Sequence, residues 1–62
     1  MKYRDITKLI EKDGWYWKRS SGSHHIYQHP TKPGIVVVAY HGAKDLPEGT
    51  VKSILRQAGL DK

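Results

Sequence analysis

The order of patterns along this 62-residue chain predicts an α+β fold: helix, three-stranded antiparallel meander, helix, with both helices on one face of the sheet. Three observations carry that expectation. Apolar residues recur at helical spacing near each end of the chain. Three short aromatic or β-branched runs, separated by Ser/Gly and Pro/Gly turns, fill the middle. Cysteine is absent, so neither disulfides nor thiolate metal ligands can staple the chain, and a single apolar core must hold it. At this length one domain, residues 1–62, is expected, burying only about 60% of its unfolded surface.

Tyr3, Ile6, Leu9 and Ile10 fall on one face of a helix over residues 3–13. Gly14 suits the left-handed position just past its end, and without an N-cap the first turn is expected to fray. Residues 15–20 read as a strand opened by Trp15-Tyr16-Trp17, in which Trp15 and Trp17 share a parity. Ser21-Gly22 fits a two-residue hairpin loop, and residues 23–28 form the return strand. Two prolines and a glycine make residues 29–34 a turn. The β-branched run at residues 35–40 should be the best-buried strand. Asp45 with Glu48 three residues on is a capping-box pattern, and Pro47 is tolerated in a first turn. Val51, Ile54, Leu55 and Ala58 form the stripe of the last helix, which Gly59 ends and Leu60 folds back upon.

Alternation along the second strand separates its histidines: His25, Tyr27 and His29 share one side, His24, Ile26 and Gln28 the other. Assigning the bulky Tyr27 and the tryptophan parity to the helix-covered face leaves His24 on the open face. Charge points the same way. The formal charge is +5, and all six acidic residues lie outside residues 14–44, which contain Lys18, Arg19, Lys32, Lys44 and all four histidines. Such a carboxylate-free cationic stretch favours a polyanionic partner. No apolar run approaches the roughly 20 residues that span a bilayer, and nothing reads as a signal peptide, so a cytoplasmic protein without membrane attachment is expected.

Several chemistries fit poorly. His25 and His29, four apart on a strand, stand ~13 Å apart and cannot share an ion. His24 and His25 point to opposite faces, so no metal site is expected. Ser23 beside His24 lacks an orienting acid for a serine nucleophile, and Ser21-Gly22-Ser23 leads into a strand rather than into a helix N-terminus that could cradle phosphate. RNA cleavage asks for less, because the substrate brings its own 2′-hydroxyl nucleophile. One imidazole able to give or take a proton, with lysine and arginine beside it, can suffice. His24 with Lys18 and Arg19 fits that minimal set.

Read together, Gly22-Ser23-His24-His25-Ile26-Tyr27, His29-Pro30, His41-Gly42 and the run Leu46-Pro47-Glu48-Gly49-Thr50-Val51 through Ala58-Gly59-Leu60 resemble the HicA (YcfA-like) toxin family, with Asp13-Gly14-Trp15 matching the exit of its first helix. The resemblance covers essentially the whole chain. It implies a double-stranded-RNA-binding-domain-like α-β-β-β-α fold and a metal-independent mRNA interferase, with no cofactor, that acts on single-stranded RNA. It also implies neutralisation by a HicB-type antitoxin protein. Its catalytic histidine carries over to His24, with His25 in reserve and His41 a further candidate for the second proton transfer. RNA contacts are expected at Lys18, Arg19, Ser23 and His25, from a protein that is monomeric when free. Asp45 and Glu48 at the start of the last helix would repel phosphate there, placing the site on the hairpin rather than in a duplex-spanning mode. A non-catalytic RNA-binding module of the same fold is the alternative, and an inactive remnant that binds only the antitoxin is a third reading.

Overall fold

In the computed structural model, which describes residues 1–40, 42 and 44–61, the chain runs α1 (Tyr3–Lys12), β1 (Tyr16–Ser21), β2 (His24–Gln28), β3 (Val36–Ala39) and α2 (Glu48–Gln57). The strands form one antiparallel sheet in the order β1-β2-β3. Ile6 and Ile10 from α1, Tyr27, Val36 and Val38 from the sheet, and Ile54 and Ala58 near the end of α2 meet in one core with Trp15 and Leu46. Both helices therefore cover the face that carries Tyr27, as expected. Each fully buried aliphatic or aromatic side chain contributes about 1.5–3 kcal/mol, which a domain this small needs from nearly every member.

Both helices stop in the same way. After α1, Gly14 adopts φ +111° while the Gly14 and Trp15 N–H groups donate to Glu11 O and Ile10 O. After α2, Gly59 at φ +73° and Leu60 donate to Arg56 O and Leu55 O. These paired bonds define Schellman endings, and each swings an apolar residue, Trp15 or Leu60, back onto the core.

Several local expectations are corrected. The buried face of α1 is Ile6, Thr7 and Ile10, with Leu9 41% exposed. Thr7 tolerates burial because its hydroxyl donates to Tyr3 O and Arg4 O within its own helix. Leu9 instead borders a shallow groove with Leu55 and Leu60. The start of α1 is tied rather than frayed: Lys2 pairs with Asp45, Leu46 N–H donates to Met1 O, and the Asp5 carboxylate accepts from Lys2 N–H. Asp45 is thereby taken from its expected capping role, and α2 begins after Pro47 with no side-chain cap. Trp15 precedes β1 and is buried, its indole N–H donating to Ala58 O at 3.3 Å. Trp17 stands opposite Tyr27, but β1 is the outer strand beyond the helices, and Trp17 remains 53% exposed. The third strand is shorter than expected, leaving Ile35 and Tyr40 outside it and exposed. Val36 and Val38 are fully buried within it.

One polar cluster holds the turn between β2 and β3. His29 Nδ1 accepts from the N–H groups of Thr31 and Lys32, each at 3.0 Å, so Nε2 carries the proton and donates to Asp13 O at 2.7 Å. Lys32 Nζ donates to Asp13 Oδ2 at 2.5 Å and to Ala58 O at 3.1 Å, joining the turn to the ends of both helices. The Lys32 ammonium holds the Asp13 carboxyl below the usual carboxylate range. A depressed carboxyl stabilises the fold above its unfolded value of about 3.9, and that stabilisation disappears as pH falls through the lower folded value. Urea denaturation between about pH 5 and about pH 3 should therefore show wild type losing stability more steeply than Asp13→Asn. Equal slopes for the two proteins would contradict this assignment.

Candidate active site

The hairpin joining β1 to β2 turns through Gly22 and Ser23, one residue later than expected, because Ser21 still pairs with His24. Gly22 takes φ +60° and Ser23 a negative φ, as in a type II′ turn, whose twist matches that of the flanking strands. The shift makes His24 the first residue of β2, fixed between Ser21 on β1 and Ala39 on β3. Its ring is exposed and hydrogen-bonds to no described residue.

Cross-strand partners share a face, so the register defines His24's surroundings. Tyr16, Arg19 and Ser21 from β1, His24, Ile26 and Gln28 from β2, and Val37 and Ala39 from β3 occupy the open face. Ile26 is nonetheless buried there, flanked by Arg19 and Val37, and gives that face a packed centre. Arg19 stands one pair along from His24. Lys18 is the extra residue of a bulge between Trp17 and Arg19, the device by which an edge strand re-aims a side chain. Both cations are exposed, and Ser23 is exposed in the turn. No strand residue is acidic.

The remaining cations behave differently from what the linear charge map suggests. Asp13 lies outside the carboxylate-free stretch in sequence, yet folding brings it against Lys32 and His29. Lys32 is therefore an internal tie, and His29, with only 8% of its side chain exposed, is a hydrogen-bonded staple. On the open face, the free positive charge beside His24 among the described residues is that of Lys18 and Arg19.

His25 faces the helices, away from His24, and hydrogen-bonds there as the alternation predicts. Its Nδ1 lies 2.5 Å from the Tyr3 hydroxyl, which is also 3.0 Å from the Tyr27 hydroxyl. Tyr3 has one proton to give, so it donates to one of these partners and accepts from the other. Burial, reinforced by the bond to Tyr3, pushes the Tyr27 phenol well above its ordinary value and keeps it neutral. Tyr40 stacks on the His25 ring at 5.4 Å and 9°, while Tyr3 meets both rings edge-on. Sequence reasoning missed this aromatic cluster. Its signal was the placement of Tyr3 on the inward face of α1 and of Tyr27 on the inward face of β2. The strand ends do meet, since Tyr40 N–H donates to Ser23 O at 2.7 Å, but His41 itself lies outside the described residues.

Residues 3–60 match the family model described as the HicA toxin of bacterial toxin–antitoxin systems. No curated protein matches the chain.

Proposed function

This chain belongs to the HicA toxin family, and from that premise we propose that it is a metal-independent endoribonuclease whose catalytic group is His24. The supporting observation is the position of His24: exposed on a rigid, acid-free sheet face, with Arg19 and Lys18 on the adjoining strand. In the proposed reaction the 2′-oxygen of a ribose attacks the adjacent phosphorus. The bond from phosphorus to the 5′-oxygen of the next nucleotide breaks, leaving a 2′,3′-cyclic phosphate and a 5′-hydroxyl. His24 moves one of the two protons, from the attacking hydroxyl or to the departing oxygen. Lys18 and Arg19 offset the negative charge that builds on the non-bridging oxygens, and Ser23 offers a hydroxyl at the same rim. His25 positions this end of β2 through its bond to Tyr3 and lies beneath the sheet rather than beside His24.

The target under this reading is single-stranded mRNA, whose cleavage would stop translation and growth. A HicB-type antitoxin would neutralise the toxin by covering the hairpin. Purified protein incubated with single-stranded RNA in chelator should generate new ends. The same oligonucleotide with a 2′-deoxyribose at the cleaved position should stay intact. Cleavage of the deoxy substrate, or an absolute need for added metal, would rule out this mechanism. Binding without new ends would favour the non-catalytic module.

A further inference from the structure

A cleft of about 630 Å³ is lined by Lys2, Tyr3, Arg4, Asp5, Thr7 and Tyr40, so that two cations and one carboxylate share its wall. Tyr40 stands out within it. The ring is a large aromatic 46% exposed, yet it is held in place: one face stacks on His25 and Tyr3 meets it edge-on. Its backbone is equally fixed by the bond to Ser23 O. A pre-positioned, half-exposed aromatic ring in a cleft whose wall also carries Lys2 and Arg4 is the combination that binds an unpaired nucleobase and the phosphate beside it, and Asp5 leaves that wall with a net positive charge of one.

Location connects this cleft to the hairpin. Tyr40 follows Ala39, and Ala39 pairs directly with His24. From the strand spacing and the rise per residue, the backbones of Tyr40 and His24 lie roughly 6 Å apart. A single nucleotide can span that corner, with its phosphate at the open face and its base turned under the sheet end.

We propose that Tyr40 is a stacking platform for an extruded base next to the phosphate at His24, with Lys2 and Arg4 contacting the adjoining backbone. This subsite rests on the ribonuclease reading and deepens it, placing an unstacked base in a built pocket and giving His24→Ala protein a way to hold RNA without cutting it. Duplex RNA, whose bases are stacked and paired, is excluded from the cleft.

The test measures binding of short single-stranded RNA by protein carrying His24→Ala, so that cleavage does not intervene. Adding Tyr40→Ala should weaken binding about fivefold to a hundredfold, the range for loss of one base stack. Tyr40→Phe, which keeps the ring, should stay within about twofold, and circular dichroism and melting establish that each variant is folded. An abasic site walked along the oligonucleotide should reproduce the Tyr40→Ala loss at one position only, and at that position Tyr40→Ala should add nothing further. Unchanged affinity for a folded Tyr40→Ala protein overturns the subsite while leaving the ribonuclease reading intact. So does a loss confined to binding of a partner protein. Failure of all the proteins to bind RNA overturns both.

Discussion

Replacing His24 with alanine should reduce RNA cleavage by about a hundredfold to ten-thousandfold, the usual contribution of a positioned acid or base, and abolish growth inhibition on induction. The fold should be untouched. His24 is exposed at a strand start, hydrogen-bonds to no described residue and belongs to no core cluster, so its removal should shift stability by no more than about 0.5 kcal/mol. The far-ultraviolet circular dichroism spectrum and the melting temperature should match those of wild type. Single-turnover cleavage, read beside the melting curve, separates chemistry from folding. A fully active His24→Ala protein would remove His24 from the mechanism. Parallel loss of activity and of folded structure would contradict the exposed, unpacked placement of this residue.

The reverse pattern is expected for His29, only five positions away. His29 lies against Trp15 with ring centroids 5.1 Å apart, accepts two backbone N–H bonds and donates to Asp13 O. It also fills the space beside Gly14, where an added Cβ would come within 2.7 Å of its Nε2. Truncation to alanine opens a cavity under Trp15 and deprives three backbone groups of their partner. The expected cost is about 2–4 kcal/mol. For a domain of this size that lowers the melting temperature by roughly 10 °C or more. Urea denaturation measures it directly. A midpoint within error of wild type would show that the turn holds itself without the imidazole. Toxicity should fall in both variants, but only in His29→Ala should it fall together with folded structure.

This contrast shows what could be read along the chain and what could not. Element order, the Gly14 and Gly59 stops, the buried Val36 and Val38, and the opposite directions of His24 and His25 all follow from local periodicity. Alternation on a strand and the 3.6-residue turn of a helix are properties of a few neighbouring residues. Thr7 is buried and Leu9, expected on the buried face, is not, because either position fits the helical stripe and the choice depends on what α1 packs against. The capping pattern at Asp45 failed for a similar reason, since a contact with Lys2, 43 positions earlier, claims that residue.

The candidate site divides along the same line. By itself the sequence determined that a histidine would stand at the start of β2, on a face distinct from its neighbour's, in a carboxylate-free run with Lys18 and Arg19. Tertiary structure alone decided which charges are free. It turned Lys32 inward onto Asp13, fixed His29 as a hydrogen-bonded staple, and enclosed His25 among Tyr3, Tyr27 and Tyr40. A charge count along the chain cannot see these pairings, because the bonds from His25 to Tyr3, His29 to Asp13 and Lys32 to Asp13 join residues 16 to 22 positions apart that only packing brings within reach.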